Sequence, residues 1–384
     1  MFLSKIFSLG LKGALMLSII GVGAVPVPEP SDAPAAPVGT QVYKAPPFNT
    51  DIPVPVVTAP ADSTFPFNGT IVARDGSVKQ LAPHERSLSN PEIRARANVY
   101  RPGVSYFAGF NMGTYTSSGG CMSQGDWVNA LRKVKSFNNP SFKFSVVKVF
   151  TTSQCSCLSN ALNAARQVGG IKIWAGIWTT PYATFQSDKN EVANQVRGPN
   201  ANLIAGVSVG SEELFRGTLS ASTLAGYIWD VKGMVQNSYG KTNIPVGTSD
   251  GIGALLNGAN QAVLDASDVM MVTDYPFYGG TNINSALSAF KHDWWALGAK
   301  MNGRPLVVGE TGWPTGGQTV GQAVPTTSTA GQYFRQIACW MRTTRKPFFW
   351  FQGIDEPWKT GAAAETQFGV SSYGGNQKFS MTCS

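Results

Sequence analysis

Histidine is nearly absent from this chain: two occur in 384 residues. With no H-E-x-x-H pair and no closely spaced Cys/His set, imidazole-based zinc chemistry is excluded. There is no glycine-rich loop ending in Lys-Ser/Thr, which removes nucleotide hydrolysis by that route. Charged residues make up only 14% against 43% hydrophobic ones, too apolar a balance for a disordered chain. The net charge is +8, yet no run of five or more Lys/Arg exists, so the basic stripe of a nucleic-acid binder is missing. Beyond the first 24 residues no apolar run approaches the length of about 20 that spans a bilayer. None ends the chain as a lipid-anchor signal would. No metal, organic cofactor, nucleic-acid partner or lasting membrane insertion is expected, and nothing calls for more than a monomer.

The N-terminus is apolar for a different reason. Lys5 and Lys12 precede "GALMLSIIGVGA", with Val22 and Ala24 as the small residues of a cleavage site. Residues 1–24 therefore read as a signal peptide and the mature chain as secreted. Residues 25–99 contain "VPVPEPSDAPAAPVG" and "DIPVPVVTAP", which favour an extended linker or pro-segment over a packed core. They also hold the one N-glycosylation sequon, Asn68-Gly69-Thr70, and a candidate processing site at Arg94-Ala95-Arg96. Export suits the five cysteines, of which at most four can pair. Cys155-Ser156-Cys157 lacks the spacing of common zinc sites, so structural disulfides are expected: Cys121 with Cys155 or Cys157, and Cys339 with Cys383.

From residue 100 the pattern becomes regular. Eight short apolar runs (106–113, 142–150, 171–178, 202–212, 244–250, 269–277, 304–310 and 348–356) alternate with amphipathic stretches. Leu224, Tyr227, Ile228 and Val231 recur at i, i+3, i+4 and i+7, one helical face, with Ser222 as the expected N-cap. Tyr333, Ile337, Trp340 and Met341 line a second such face. Continuously apolar strands separated by helices imply a parallel sheet covered on both faces. Eight such units over residues 100–384 predict a (β/α)8 TIM barrel. A doubly wound open sheet would need a glycine-rich loop after its first strand, and "GFNMGTYTSSGG" is a poor one.

In such a barrel the chemistry sits at the C-terminal strand ends, and three of these ends carry glutamate: Glu212, Glu310 and Glu356. A lone carboxylate there is usually a solvated loop residue; three point to a site. Two facing carboxylates are what glycosidic cleavage needs, one protonated to donate to the leaving oxygen and one ionised to attack the anomeric carbon. Like charges a few ångströms apart resist joint ionisation, which separates their pKa values. Glu213 is a rival acid, but neighbours on a strand point to opposite faces. Aromatic residues gather near the same ends: Trp178, Phe277, Tyr278, Trp313 and Trp358. They are candidate platforms for the C–H face of a sugar.

These segments resemble glycoside hydrolase family 17, the β-1,3-glucanases, over about 285 residues and most closely its fungal cell-wall branch. The seventh-strand motif "VVGETGWPTGG" is the specific one. "GVSVGSEELFRG", "VTDYPFYGG", "GIDEPWK" and "FAGFNMG" resemble the family's fourth-, sixth-, eighth- and first-strand motifs. The resemblance implies a retaining glycosidase acting on β-1,3-glucan through a covalent intermediate. It implies Glu310 as nucleophile and Glu212 as acid/base, with Glu356 and Lys359 maintaining the surrounding charges and Tyr275 hydrogen-bonding near the nucleophile or the sugar. Two positions depart from the pattern: Ser211 stands where Asn usually contacts a sugar hydroxyl, and Asp274 where Asn is common on the substrate side.

Three alternatives stand beside this expectation. A glucanosyltransferase would share the same intermediate and differ in what intercepts it. A non-catalytic wall protein would bind glucan without cleaving it. A serine hydrolase could be built on "GVSVG" (206–210), with Ser208 as nucleophile and His292 as base, although Ser208 lies inside an apolar strand rather than at a sharp turn.

Overall fold

The computed structural model describes residues 102–383, together with the backbone of two short strands nearer the N-terminus. Those strands, Thr70–Val72 and Val78–Gln80, pair antiparallel, an element not expected in the Pro-rich segment. The signal peptide, Asn68 of the sequon and the candidate processing site lie outside the described residues.

Each of the eight apolar runs contains a strand: β1 (Ala108–Asn111), β2 (Phe144–Lys148), β3 (Lys172–Ile177), β4 (Ile204–Ser211), β5 (Val246–Gly251), β6 (Val269–Thr273), β7 (Leu306–Thr311) and β8 (Phe348–Trp350). All neighbours pair parallel, and β8 closes on β1, giving a barrel in the order β8-β1-β2-β3-β4-β5-β6-β7. Helices follow the strands: α1 (Gln124–Ser136), α2 (Cys157–Val168), α3 (Tyr182–Arg197), α4 (Ala221–Lys232), two short helices α5 (Ile252–Leu256) and α6 (Gln261–Ala266), α7 (Ala286–Lys300) and α8 (Thr327–Thr343). This is the (β/α)8 barrel. Among the described residues no helix is long and apolar enough to cross a membrane.

Two apolar layers hold it together. Inside the barrel, Phe107, Val146, Trp174, Met271, Val307 and Phe349 form one cluster. Gly206 makes room for it: a Cβ there would stand 2.5 Å from the Trp174 ring, so a side chain at that point would evict the indole. Outside, the other strand faces meet the helices. On α8, Tyr333, Phe334, Ile337 and Met341 are all buried, each contributing about 1.5–3 kcal/mol through area removed from water. On α4, Leu224, Ile228 and Val231 are buried, but the cap is Ser220 rather than Ser222. Ser220 accepts from the Thr223 amide at 3.2 Å, and Ser222 already lies within the first turn.

Disulfides join Cys121 to Cys155 and Cys339 to Cys383, which chooses between the two partners open to Cys121. Cys157 is the free thiol, fully buried at the start of α2. Burial pushes its pKa up to about 12, although a hydrogen bond with Thr114 pulls the other way. Such a thiol is inert at neutral pH. A peptide map under non-reducing conditions is expected to recover the 121–155 and 339–383 cross-links, with Cys157 alkylated only after denaturation. Alkylation of Cys155 in the native protein would contradict it.

Candidate active site

The C-terminal rim of the barrel gathers the polar side chains. Val146 and Lys148 share the inward face of β2 by the two-residue period of a strand. Lys148 is 1% exposed, and its Nζ stands 2.9 Å from Glu310 Oε1 at the end of β7. The Phe150 ring lies 4.5 Å from the same ammonium, a contact favourable to a desolvated cation. Two hydroxyls complete the shell: Ser211 Oγ is 3.3 Å from Glu310 Oε1, and Tyr275 OH donates to Oε2 at 3.3 Å. Asn111 ends β1 and donates to the Gly309 carbonyl at 3.0 Å, fixing the backbone just before Glu310.

Glu212 follows β4 with φ of 58°, in the left-handed region that few non-glycine residues adopt. That twist, rather than strand alternation, separates it from Glu213. Glu213 is fully buried and bonded to Arg216 and Thr218. Arg216 also donates to the Ser211 carbonyl, and its guanidinium covers the Trp178 ring at 4.9 Å. The turn is anchored from below by Asp250, completely buried at the end of β5, which accepts from the amides of Leu214 (2.8 Å) and Phe215 (3.0 Å). Burial raises Asp250 to about 6, with those amide bonds opposing.

Glu212 itself is raised to about 8. Burial is the largest cause and the charge of Glu310 the second, while Arg216 and Lys148 pull it down. One carboxylate on this rim is thus held against a lysine, and the other keeps its proton at neutral pH.

A second charge cluster follows β8. Glu356 pairs with Lys359 at 2.7 Å, and its carboxylate presses on Gly113, where a Cβ would stand 2.1 Å from Oε1. Glu365, 4% exposed, accepts from the Tyr278 hydroxyl. Burial pulls the Lys359 pKa down, but Glu356 and Glu365 more than offset it and the net shift is upward. Glu310 contributes to the same field, which ties this cluster to the first.

The expected aromatic platforms are corrected in three places. Phe277 is 0% and Trp313 1% exposed. They pack on each other at 5.3 Å, and the Trp313 indole donates to the Val324 carbonyl, so neither offers a face to a sugar. Trp178 is also buried beneath Arg216. Trp358 is half-buried against Tyr115. Asp274 too is buried. Burial raises it to about 8, with Asp293 of α7 adding to the shift, which places its carboxyl toward the helix layer rather than the groove. Ser208 is buried in mid-strand while His292 is exposed on α7, so they make no serine-hydrolase site. The exposed aromatic beside Glu212 is Phe215, resting on Gly251.

Lys148, Asp250 and Glu365 were not among the expected residues. Two had a signal: a charge ending an otherwise apolar run, "FSVVK" and "VGTSD", the cue that exposed the glutamates. Glu365 sits in an irregular segment with no such cue.

A parallel barrel whose rim carries one carboxylate held by a buried lysine and a second raised to about 8 has the groups of a glycosidase. Residues 109–375 match the family described as the BtgE/BtgC glycoside hydrolase domain. A glucan 1,3-beta-glucosidase of Saccharomyces cerevisiae is 32% identical over 289 residues, covering 71% of this chain and 90% of that protein. The Schizosaccharomyces pombe protein of the same name is 29% identical over 282 residues, covering 71% and 86%. The glycoside hydrolase family 17 beta-1,3-glucanosyltransferase of Rhizomucor miehei shares the fold, with a TM-score of 0.63 at 24% identity over 72% of this chain and 98% of that one. The chain belongs to the fungal glucanase branch of glycoside hydrolase family 17.

Two measurements check the electrostatics. Lys148→Met leaves a buried carboxylate unpaired and is expected to cost about 3–5 kcal/mol at pH 7, read by denaturant unfolding. Glu212 holds in the folded state a proton that the unfolded chain releases near the ordinary value of 4.5. Its ionisation therefore destabilises the fold progressively as pH rises from about 4.5 through about 8. Glu212→Gln is expected to be the more stable protein at pH 7, by at most about 3 kcal/mol, with the gain gone below pH 4.

Proposed function

We propose that the chain cleaves β-1,3-glucan with retention of configuration, Glu310 serving as nucleophile and Glu212 as acid/base. The observation that carries this is the contrast between the two carboxylates: Glu310 faces a buried lysine at 2.9 Å, and Glu212 is raised to about 8. The names of the relatives supply the substrate class.

In the first step Glu310 forms a bond to the anomeric carbon while Glu212 passes its proton to the departing glycosidic oxygen. Esterified Glu310 carries no charge, so the second cause of the raised Glu212 pKa disappears. Glu212 then takes a proton from the incoming hydroxyl, whether of water or of another glucan. Tyr275 and Ser211 hold the nucleophile's two oxygens in place, and Glu356, Lys359 and Glu365 set the potential around them. A wall glucan as substrate, with residues 1–24 read as leader and 25–99 as linker, supports a mature chain outside the cell, at the wall.

Glu310→Gln is expected to lower kcat on β-1,3-oligosaccharides at least about a thousandfold. Glu212→Gln should lower it about 10²–10⁴-fold, but much less on an aryl glucoside whose leaving group needs no proton. Proton NMR of the first product should show the β-anomer; an α-anomer, or full activity in either variant, contradicts the reading. Products longer than the substrate identify transfer rather than hydrolysis. The kcat/KM profile is expected to fall as pH rises through about 8, when Glu212 loses its proton, and Glu212→Gln should abolish that limb.

A further inference from the structure

A cavity of about 280 Å³ lies beside this site, between the loop after β1, helix α1 and the segment after β8. It is at the small end of ligand pockets, which run roughly 300–1,000 Å³, so it suits one ring rather than a chain. Met112, Met122 and Ile354 line it with apolar surface, and the rings of Tyr115 and Tyr373 border it. Tyr373 is 41% exposed.

Each charged group on its walls already has a partner. Glu356 pairs with Lys359 and Asp355 with Lys378 at 2.8 Å. Asp126 accepts from Ser123 as the cap of α1, and Lys133 donates to the Gly375 carbonyl at 2.6 Å. No wall charge is left without a partner to call for an ion of either sign. It offers instead an exposed amide, Asn129, that makes no hydrogen bond among the described residues. An apolar floor, aromatic edges and a free amide match a neutral polyhydroxylated ring, whose C–H face needs burial and whose hydroxyls need partners.

Its position names the ring. Glu356 is at once a wall of this cavity and part of the charge cluster that reaches Glu310. We infer that the cavity is an accessory subsite for one glucosyl unit of the β-1,3-glucan chain, outside the two units joined by the bond cleaved. This rests on the activity proposed above. Occupying it gives binding energy only to chains long enough to reach it, which makes the pocket a gauge of substrate length.

The test uses Tyr373→Ala, Asn129→Ala and the blocking variant Asn129→Trp, all surface positions outside the charge clusters. With β-1,3-glucose oligomers of graded length, kcat/KM on the longest is expected to fall tenfold or more through KM, with the shortest cleaved oligomer unchanged. Equal losses at every length, or none at any, overturn the subsite. Calorimetric binding of the longest oligomer to Glu310→Gln, with and without these substitutions, separates the two ideas. If the native chain cleaves nothing, the activity reading fails. An affinity that is unmoved by all three substitutions overturns the pocket.

Discussion

The ion pair between Lys148 and Glu310 is the constraint on which the rest of the site depends. A bare carboxylate closing a barrel strand would be costly to bury, and a lone lysine equally so. Together, at 2.9 Å with both side chains nearly sealed from water, they offset one another. The Phe150 ring and two hydroxyls complete the shell. The lysine reaches the rim because its stem continues the inward, apolar face of β2. Its charge is thus delivered by the core, not by a loop. A negative charge fixed in that way has a second effect, felt across the rim by Glu212. That pairing holds Glu310 in place, and the Glu310 charge adds to the burial that raises Glu212.

The surrounding charges extend this logic outward. Lys359 lies between Glu356 and Glu365, and Tyr278 donates to the latter. The cluster pairs its carboxylates with Lys359 and the Tyr278 hydroxyl, so it places no unpartnered anion beside Glu310. Asp250 works on the backbone instead, clamping the turn that presents Glu212. The fold bears a cost for this arrangement, because a carboxyl held near pKa 8 is an acid kept from its preferred state. Under the proposed roles, stability and chemistry are opposed at Glu212 and aligned at Lys148.

The barrel was legible because its strands are buried on both faces and interrupted by helical periodicity, a pattern independent of any one residue. The rim position of Glu212, Glu310 and Glu356 was legible because a charge ending an apolar run marks where a strand meets the loops. The same cue stands at Lys148 and Asp250, where a charge closes the runs of β2 and β5. Side-chain direction was the weaker inference. Phe277 and Trp313 lie at the right strand ends but turn into the helix layer, where ring packing and the Trp313 hydrogen bond hold them. Position along a strand locates a residue at the rim; which way it faces depends on the turn that follows, and that is set by contacts distant in sequence. The short strands at 70–72 and 78–80 were hidden by the proline-rich composition around them.

The left-handed backbone at Glu212 restricts what evolution can substitute there. Glycine and asparagine tolerate that geometry well, whereas valine, isoleucine and threonine do not. A duplicated copy released from chemistry would therefore drift along a narrow path at this position, toward small or amide residues. The backbone would preserve the shape of the vanished acid's perch after the acid itself had gone.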